Sequence, residues 1–214
     1  MRLFGLAILL LIVSSPLKCY GGGAEDFQLW MFQTGSKPLS DKWSLQVEAD
    51  ERWEENASKL FFYYIHIGTQ YRPCDAWSIT PVFRHVWKKE MGEWVEENRA
   101  LIDYRRYWSC GGIDFVVRNR FEYTFRDKDF YFRFRFQTYF PYKLGGRDFD
   151  PFVYNEVFFL NGANIVQNRF QVGFQTPFSN DCIRSTIAYM FRLKKSGVTW
   201  NGFNNLVTGI FFDF

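Results

Sequence analysis

Between Phe130 and Phe140 the chain reads F-Y-F-R-F-R-F-Q-T-Y-F. Phe130, Phe132, Phe134 and Phe136 share one parity; Tyr131, Arg133, Arg135, Gln137 and Tyr139 share the other. A helix would scatter these phenylalanines around its circumference with arginines among them, whereas a strand sorts them completely onto two faces. A chain containing such a segment is constrained to a sheet with one aromatic and one charged surface.

The same period recurs along the chain. Ile113, Phe115, Val117, Phe121 and Tyr123 oppose Asp114, Arg118, Arg120 and Glu122; Trp43, Leu45, Val47 and Ala49 oppose Ser44, Gln46, Glu48 and Asp50. Weaker alternation marks 27–33, 60–71, 77–87, 94–107, 152–160, 166–176 and 183–193. The last strand, Leu206 to Phe214, reads L-V-T-G-I-F-F-D-F. Leu206, Thr208, Ile210, Phe212 and Phe214 lie on one face of it, so the chain stops on an apolar strand where termini usually fray. Many of these segments reach the ~9–11 residues that a tilted membrane strand needs, against ~5–6 in soluble sheets.

A soluble lipocalin-type barrel would also alternate, with its aromatic face inward. The inverted assignment, aromatics outward, is favoured by strand length and by Trp43, Tyr71, Trp77, Trp87, Trp94 and Trp108 near strand ends, as in an interfacial girdle. Aromatics are 21% of the chain and charged residues 23%, while the mean hydropathy is −0.25. Those figures are compatible if every strand carries both kinds of surface. A net charge of +3 gives no argument for nucleic acid. Leu3 to Val13 is an apolar run behind Arg2, too short to cross a bilayer as a helix; residues 1–24 read as a secretory signal, cut before Glu25, and 25–214 as the barrel.

The compact turns at 40–43, 73–77 and 178–182 are expected on the periplasmic side, and those at 54–59, 88–93 and 194–201 outside. Eleven strands emerge from the pattern, yet single-chain bacterial barrels have even strand numbers. Parity therefore predicts ten strands, with 27–33 incomplete, or twelve, with one missed near 141–151. The fold expected is an all-β, transmembrane, antiparallel up-and-down barrel of ten to twelve strands ending on an aromatic carboxy-terminal strand.

This pattern resembles the bacterial outer-membrane β-barrel proteins, and the ending at Leu206, Ile210, Phe212 and Phe214 resembles the signal read by their assembly machinery. More narrowly, the stretches Asp26 to Trp30 (D-F-Q-L-W), Ser40 to Leu45 (S-D-K-W-S-L), Glu96 to Arg99 (E-E-N-R), Arg118 to Glu122 (R-N-R-F-E), Tyr154 to Glu156 (Y-N-E) and Gln167 to Arg169 (Q-N-R) are similar to an uncharacterised bacterial family of unknown function. The resemblance implies a barrel in the bacterial outer membrane, in contact with outer-membrane lipid and with the assembly machinery. It implies no activity and no catalytic residues.

With aromatics outward, the lumen gathers Glu48, Asp50, Arg99, Asp103, Arg118, Arg120, Glu122, Arg133, Arg135, Glu156 and Arg169. Charges removed from bulk water need partners, so these residues are expected to form a self-neutralising network that largely fills the lumen; the sharper reading is the lining of a narrow anion-selective pore. An enzyme needs a nucleophile beside a base. Of two histidines, His66 falls on the inward phase and His85 on the outward, and no G-x-S-x-G occurs. The expected function is a non-enzymatic envelope barrel, structural or a narrow pore; the alternative is an outer-membrane lipid hydrolase of the phospholipase or lipid A deacylase type. No metal-ligand spacing and no cofactor motif is present in the sequence. Cys74, Cys110 and Cys182 are expected together at the periplasmic rim, where an oxidising compartment permits a disulfide or a cross-link to another envelope protein.

Overall fold

The computed structural model describes residues 27–140, 142–144, 147–161, 164–177 and 182–214. The expected signal segment lies outside the described residues. Eleven strands form the wall: β1 (Phe27–Pro38), β2 (Trp43–Glu54), β3 (Lys59–Cys74), β4 (Trp77–Glu90), β5 (Glu93–Cys110), β6 (Ile113–Thr124), β7 (Phe130–Tyr139), β8 (Arg147–Leu160), β9 (Asn164–Pro177), β10 (Ile183–Ser196) and β11 (Thr199–Asp213). Each pairs antiparallel with its sequence neighbour. The wall closes because β1 also pairs with β11, in parallel, from Phe27↔Asn204 to Ser36↔Asp213.

That parallel seam corrects the parity argument. An even number is required only if the first and last strands pair antiparallel; a parallel pair closes an odd number. The segment at 27–33 is the first half of a full twelve-residue strand. The stretch at 141–151 adds no wall strand: Tyr142–Leu144 pairs with 147–149, prolonging the β7–β8 hairpin beyond the barrel. Phe27 and Phe214 consequently lie at opposite ends. The end carrying the turns at 39–42, 75–76 and 111–112 together with Phe214 is called here the carboxy-terminal mouth.

Local chemistry sets the turns and the irregularities. Met91-Gly92 and Gly111-Gly112 are two-residue turns with both φ values positive, the geometry whose twist matches a hairpin. The β3–β4 register skips the positions facing Thr80 and Pro81, where proline has no N–H to give. At the seam, Gly209 stands opposite Phe32, whose ring covers it; any Cβ there would collide with that ring.

The interior is two-sided. Trp30, Phe152, Tyr154, Ala188, Met190 and Val207 form an apolar cluster on the β1 and β8–β11 side, with Phe32 and Tyr139 packed against it. The opposite side is charged. The outer surface carries exposed Ile65, Ile67, Phe83, Ile102, Phe121, Phe134, Phe136, Ile187 and Ile210.

Candidate functional site

The outer wall bears an aromatic belt near each end. Toward the carboxy-terminal mouth, Trp43 packs on Tyr71 (ring centroids 4.7 Å), Tyr71 on Trp77, and Trp108 stacks on Phe115. Toward the other end, Tyr63 stacks on Trp87 at 4.5 Å and meets Trp94 edge-on. Trp77 and Trp87 are ten residues apart on β4. At ~3.3 Å per residue and a tilt of ~40°, the belts stand about 25 Å apart along the axis.

Inside, carboxylates and guanidiniums interlock across strands. Glu156, fully buried on β8, receives Arg118 of β6, Arg135 of β7 (3.3 Å) and Arg169 of β9 (3.4 Å). Asp103 of β5 is gripped by Arg120 through two hydrogen bonds (2.5 and 2.8 Å) and by Arg105 at 2.9 Å. Glu122 holds Arg99 (2.7 Å) and Arg133 (2.5 Å), and Arg99 also pairs with Glu97. Asp50 takes Arg52 at 2.7 Å. The Arg52 guanidinium lies 3.8 Å from the Trp30 ring centroid, tying the charged side to the apolar cluster. Strand alternation explains this clustering: pairs such as Arg118↔Arg135 and Arg135↔Glu156 are register neighbours on one face.

Glu48 differs from the other carboxylates because none of its partners is a guanidinium. It accepts from Tyr64 Oη and from Thr34 Oγ1 (3.4 Å), and its Oε1 is 3.6 Å from His66 Nδ1. Arg84 Nη2 lies 3.3 Å from the same ring nitrogen of His66. Its guanidinium carbon is 3.9 Å from the Tyr64 centroid.

Above these groups is a well of about 1170 Å³. Its wall runs from Ser36, Asp75, Ser109 and Asp213 at the carboxy-terminal mouth down to Trp30, Arg52, Tyr64, Arg84, Arg133 and Arg169, which form its floor. All the lumen charges named from the sequence face inward, and most belong to the floor or lie just beneath it. Sequence reasoning missed Arg84, Thr34 and Tyr64. The inward parity of β4 already carried Arg84, but Val82 and Val86 on either side disguise it as part of an apolar face.

The remaining candidates lie elsewhere. His85 is on the outer wall, with Nδ1 2.6 Å from Asn98 Oδ1 and its ring 4.1 Å from that of Trp87. Cys74, Cys110 and Cys182 are exposed at the carboxy-terminal mouth and all are free, so no disulfide joins any two of them. Cys74 ends β3 and Cys110 ends β5, so a whole strand separates them: roughly 10 Å at ~4.8 Å per strand, beyond disulfide reach. Cys74, Cys110 and Cys182 of the folded protein should therefore each react with a maleimide, read residue by residue by peptide mass spectrometry. Leu206, Ile210, Phe212 and Phe214 are on the outward parity of β11, with Phe212 and Phe214 stacked. No cluster among the described residues could hold a metal ion.

Comparison with known proteins adds a family and a distant fold likeness. The sequence comparison with curated proteins gives no match. Among solved structures, LpxR from Salmonella typhimurium is 7% identical, with 80% of this chain and 83% of that chain covered at a TM-score of 0.49. A family model described as "Protein of unknown function (DUF2490)" matches residues 27–202, which spans β1 to the first residues of β11. The chain therefore belongs to the DUF2490 family, and its fold is a closed β-barrel of eleven strands.

Proposed function

We propose that this protein is a bacterial outer-membrane barrel that does not conduct: a structural envelope protein whose lumen is sealed at mid-height and opens as a well on one side. The observation that carries the reading is the ion-pair layer linking β5 to β9 through Asp103, Glu122 and Glu156. It lies at the level where the Trp30 cluster fills the opposite side of the lumen. Membrane placement is supported by the apolar outer wall and by belts about 25 Å apart, the height of the apolar band in such barrels.

The hydrolase reading needs a nucleophile beside a base. The neighbours of His85 on its strand and across it are Phe83, Trp87, Ile65 and Asn98, none of which carries a hydroxyl or thiol. In the well, Thr34 bonds to Glu48 rather than to His66. The structural reading is therefore the better supported.

Planar-bilayer recording on the purified protein tests it. The expected trace is flat, without discrete conductance steps in 1 M KCl. Steady stepwise openings would replace the proposal with a pore, and His85-dependent release of fatty acid from phospholipid would replace it with an enzyme.

A further inference from the structure

The floor of the well is not electrically balanced. Arg52, Arg118, Arg120, Arg133, Arg135 and Arg169 share Asp50, Asp103, Glu122 and Glu156 as described above. Arg99 and Arg105 join them on Glu122 and Asp103, Arg99 also meets Glu97, and Arg84 and Glu48 complete the layer without an ion pair to each other, so guanidinium groups exceed carboxylates by three. Arg84 is the most telling of them. It is 2% exposed, yet among the described residues no carboxylate oxygen lies within 4 Å of it. Its Nε has no hydrogen-bond partner, and among the described residues the side chain's one hydrogen-bond partner is the His66 ring. Arg118 and Arg133, which line the same floor, also leave their Nε groups unpartnered. Of the carboxylates facing Arg84 at longer range, Asp50 is paired with Arg52 and Glu122 with Arg99 and Arg133, while Glu48 accepts from the uncharged Tyr64 and Thr34 and faces Arg84 across the His66 ring.

Buried N–H donors left unsatisfied are costly, and an unpaired buried cation more so. Natural structures keep such groups where something else completes them. The missing component here must be anionic, must be small enough for a well of about 1170 Å³, and must come from the mouth, because the wall is hydrogen-bonded all round. An excess of several positive charges favours an anion that carries more than one negative charge. Guanidinium forks suit the tetrahedral oxygens of a phosphate, which carries ~1.5–2 negative charges near neutral pH as a monoester.

We infer that the floor of the well, centred on Arg84, is a binding site for a water-soluble phosphate dianion, free or as the monoester of a small molecule. The site does not depend on whether the barrel conducts, so it stands or falls separately from the structural reading.

Isothermal titration of inorganic phosphate into the detergent-purified full protein, at constant ionic strength set with chloride, tests this. Saturable binding near one equivalent is expected. Arg84→Gln should weaken it at least tenfold, and Arg84→Lys, which keeps charge but loses the fork, should fall between. Arg126→Gln, at the opposite end where Arg126 pairs with exposed Glu90, should leave it unchanged. In a parallel arm, an anionic phospholipid in mixed micelles should not compete with phosphate, since lipid cannot cross the closed wall. Absence of saturable heat in the wild type overturns the inference even if the Arg84 variants fail to fold. Equal binding by wild type and Arg84→Gln overturns it too, and competition by the phospholipid overturns entry from the mouth.

Discussion

Replacing Glu156 with alanine should destabilise the barrel by about 3–5 kcal/mol, the range found when one member of a buried ion pair is removed. Three arginines converge on this carboxylate, from β6, β7 and β9, and its side chain is wholly shielded from solvent. Without it, Arg118 keeps a 4.0 Å approach to Asp103, whereas Arg135 loses its only ion pair among the described residues. Equilibrium unfolding in urea, followed by tryptophan fluorescence of the protein in lipid vesicles, reads the change directly. Glu156→Gln keeps an acceptor for the arginines and should lose less. Glu90→Ala, at a half-exposed rim pair with Arg126, should leave the midpoint within error, because exposed pairs contribute little. A midpoint for Glu156→Ala indistinguishable from wild type would remove the case that the charge layer holds the wall together.

Gly173→Val tests a steric constraint in the same wall. Gly173 is on the inner face of β9, opposite Ala188. A Cβ built there lies 2.5 Å from the Ile187 carbonyl oxygen and 2.8 Å from the Ala188 Cα, both main-chain atoms held in the ladder. No rotamer change relieves that overlap, so the two strands must separate. A loss of about 3 kcal/mol is expected, at the upper end of ordinary overpacking, or a failure to fold. Gly35→Ala is the matched control: its nearest neighbour is the Phe214 ring edge at 3.5 Å, an ordinary contact. Equal refolding yield and equal unfolding midpoints for the two variants would mean that β9 and β10 are not packed this closely.

The alternation of residues 113–125 and 130–140 makes the wall legible in the sequence, because side-chain direction on a strand depends on parity alone. The inward charges follow from the same parity, and so does their meeting, since register neighbours share a face. What parity does not carry is registry at the seam. Nothing local to Phe27 or Phe214 says whether the two ends of the chain run in the same direction when they meet, and a general preference for even numbers pointed away from eleven. Arg84 stayed hidden for a related reason. Parity assigns it to the lumen, but only the three-dimensional partition of Asp50, Asp103 and Glu122 among other arginines leaves it without a carboxylate.

The parallel seam bears on how the molecule is made. Every other strand pair can zip from a hairpin of a few residues, but Phe27 meets Asn204 only after nearly the whole chain has been ordered. Contacts of such sequence separation form late, because loop-closure entropy is lost before they return any energy. Parallel ladders are also slightly weaker per residue than antiparallel ones. The seam should therefore be the last joint to form and the first to part. Main-chain amides of Phe27 to Ser36 should exchange with deuterium sooner than those of β5 and β6 at the opposite side of the wall.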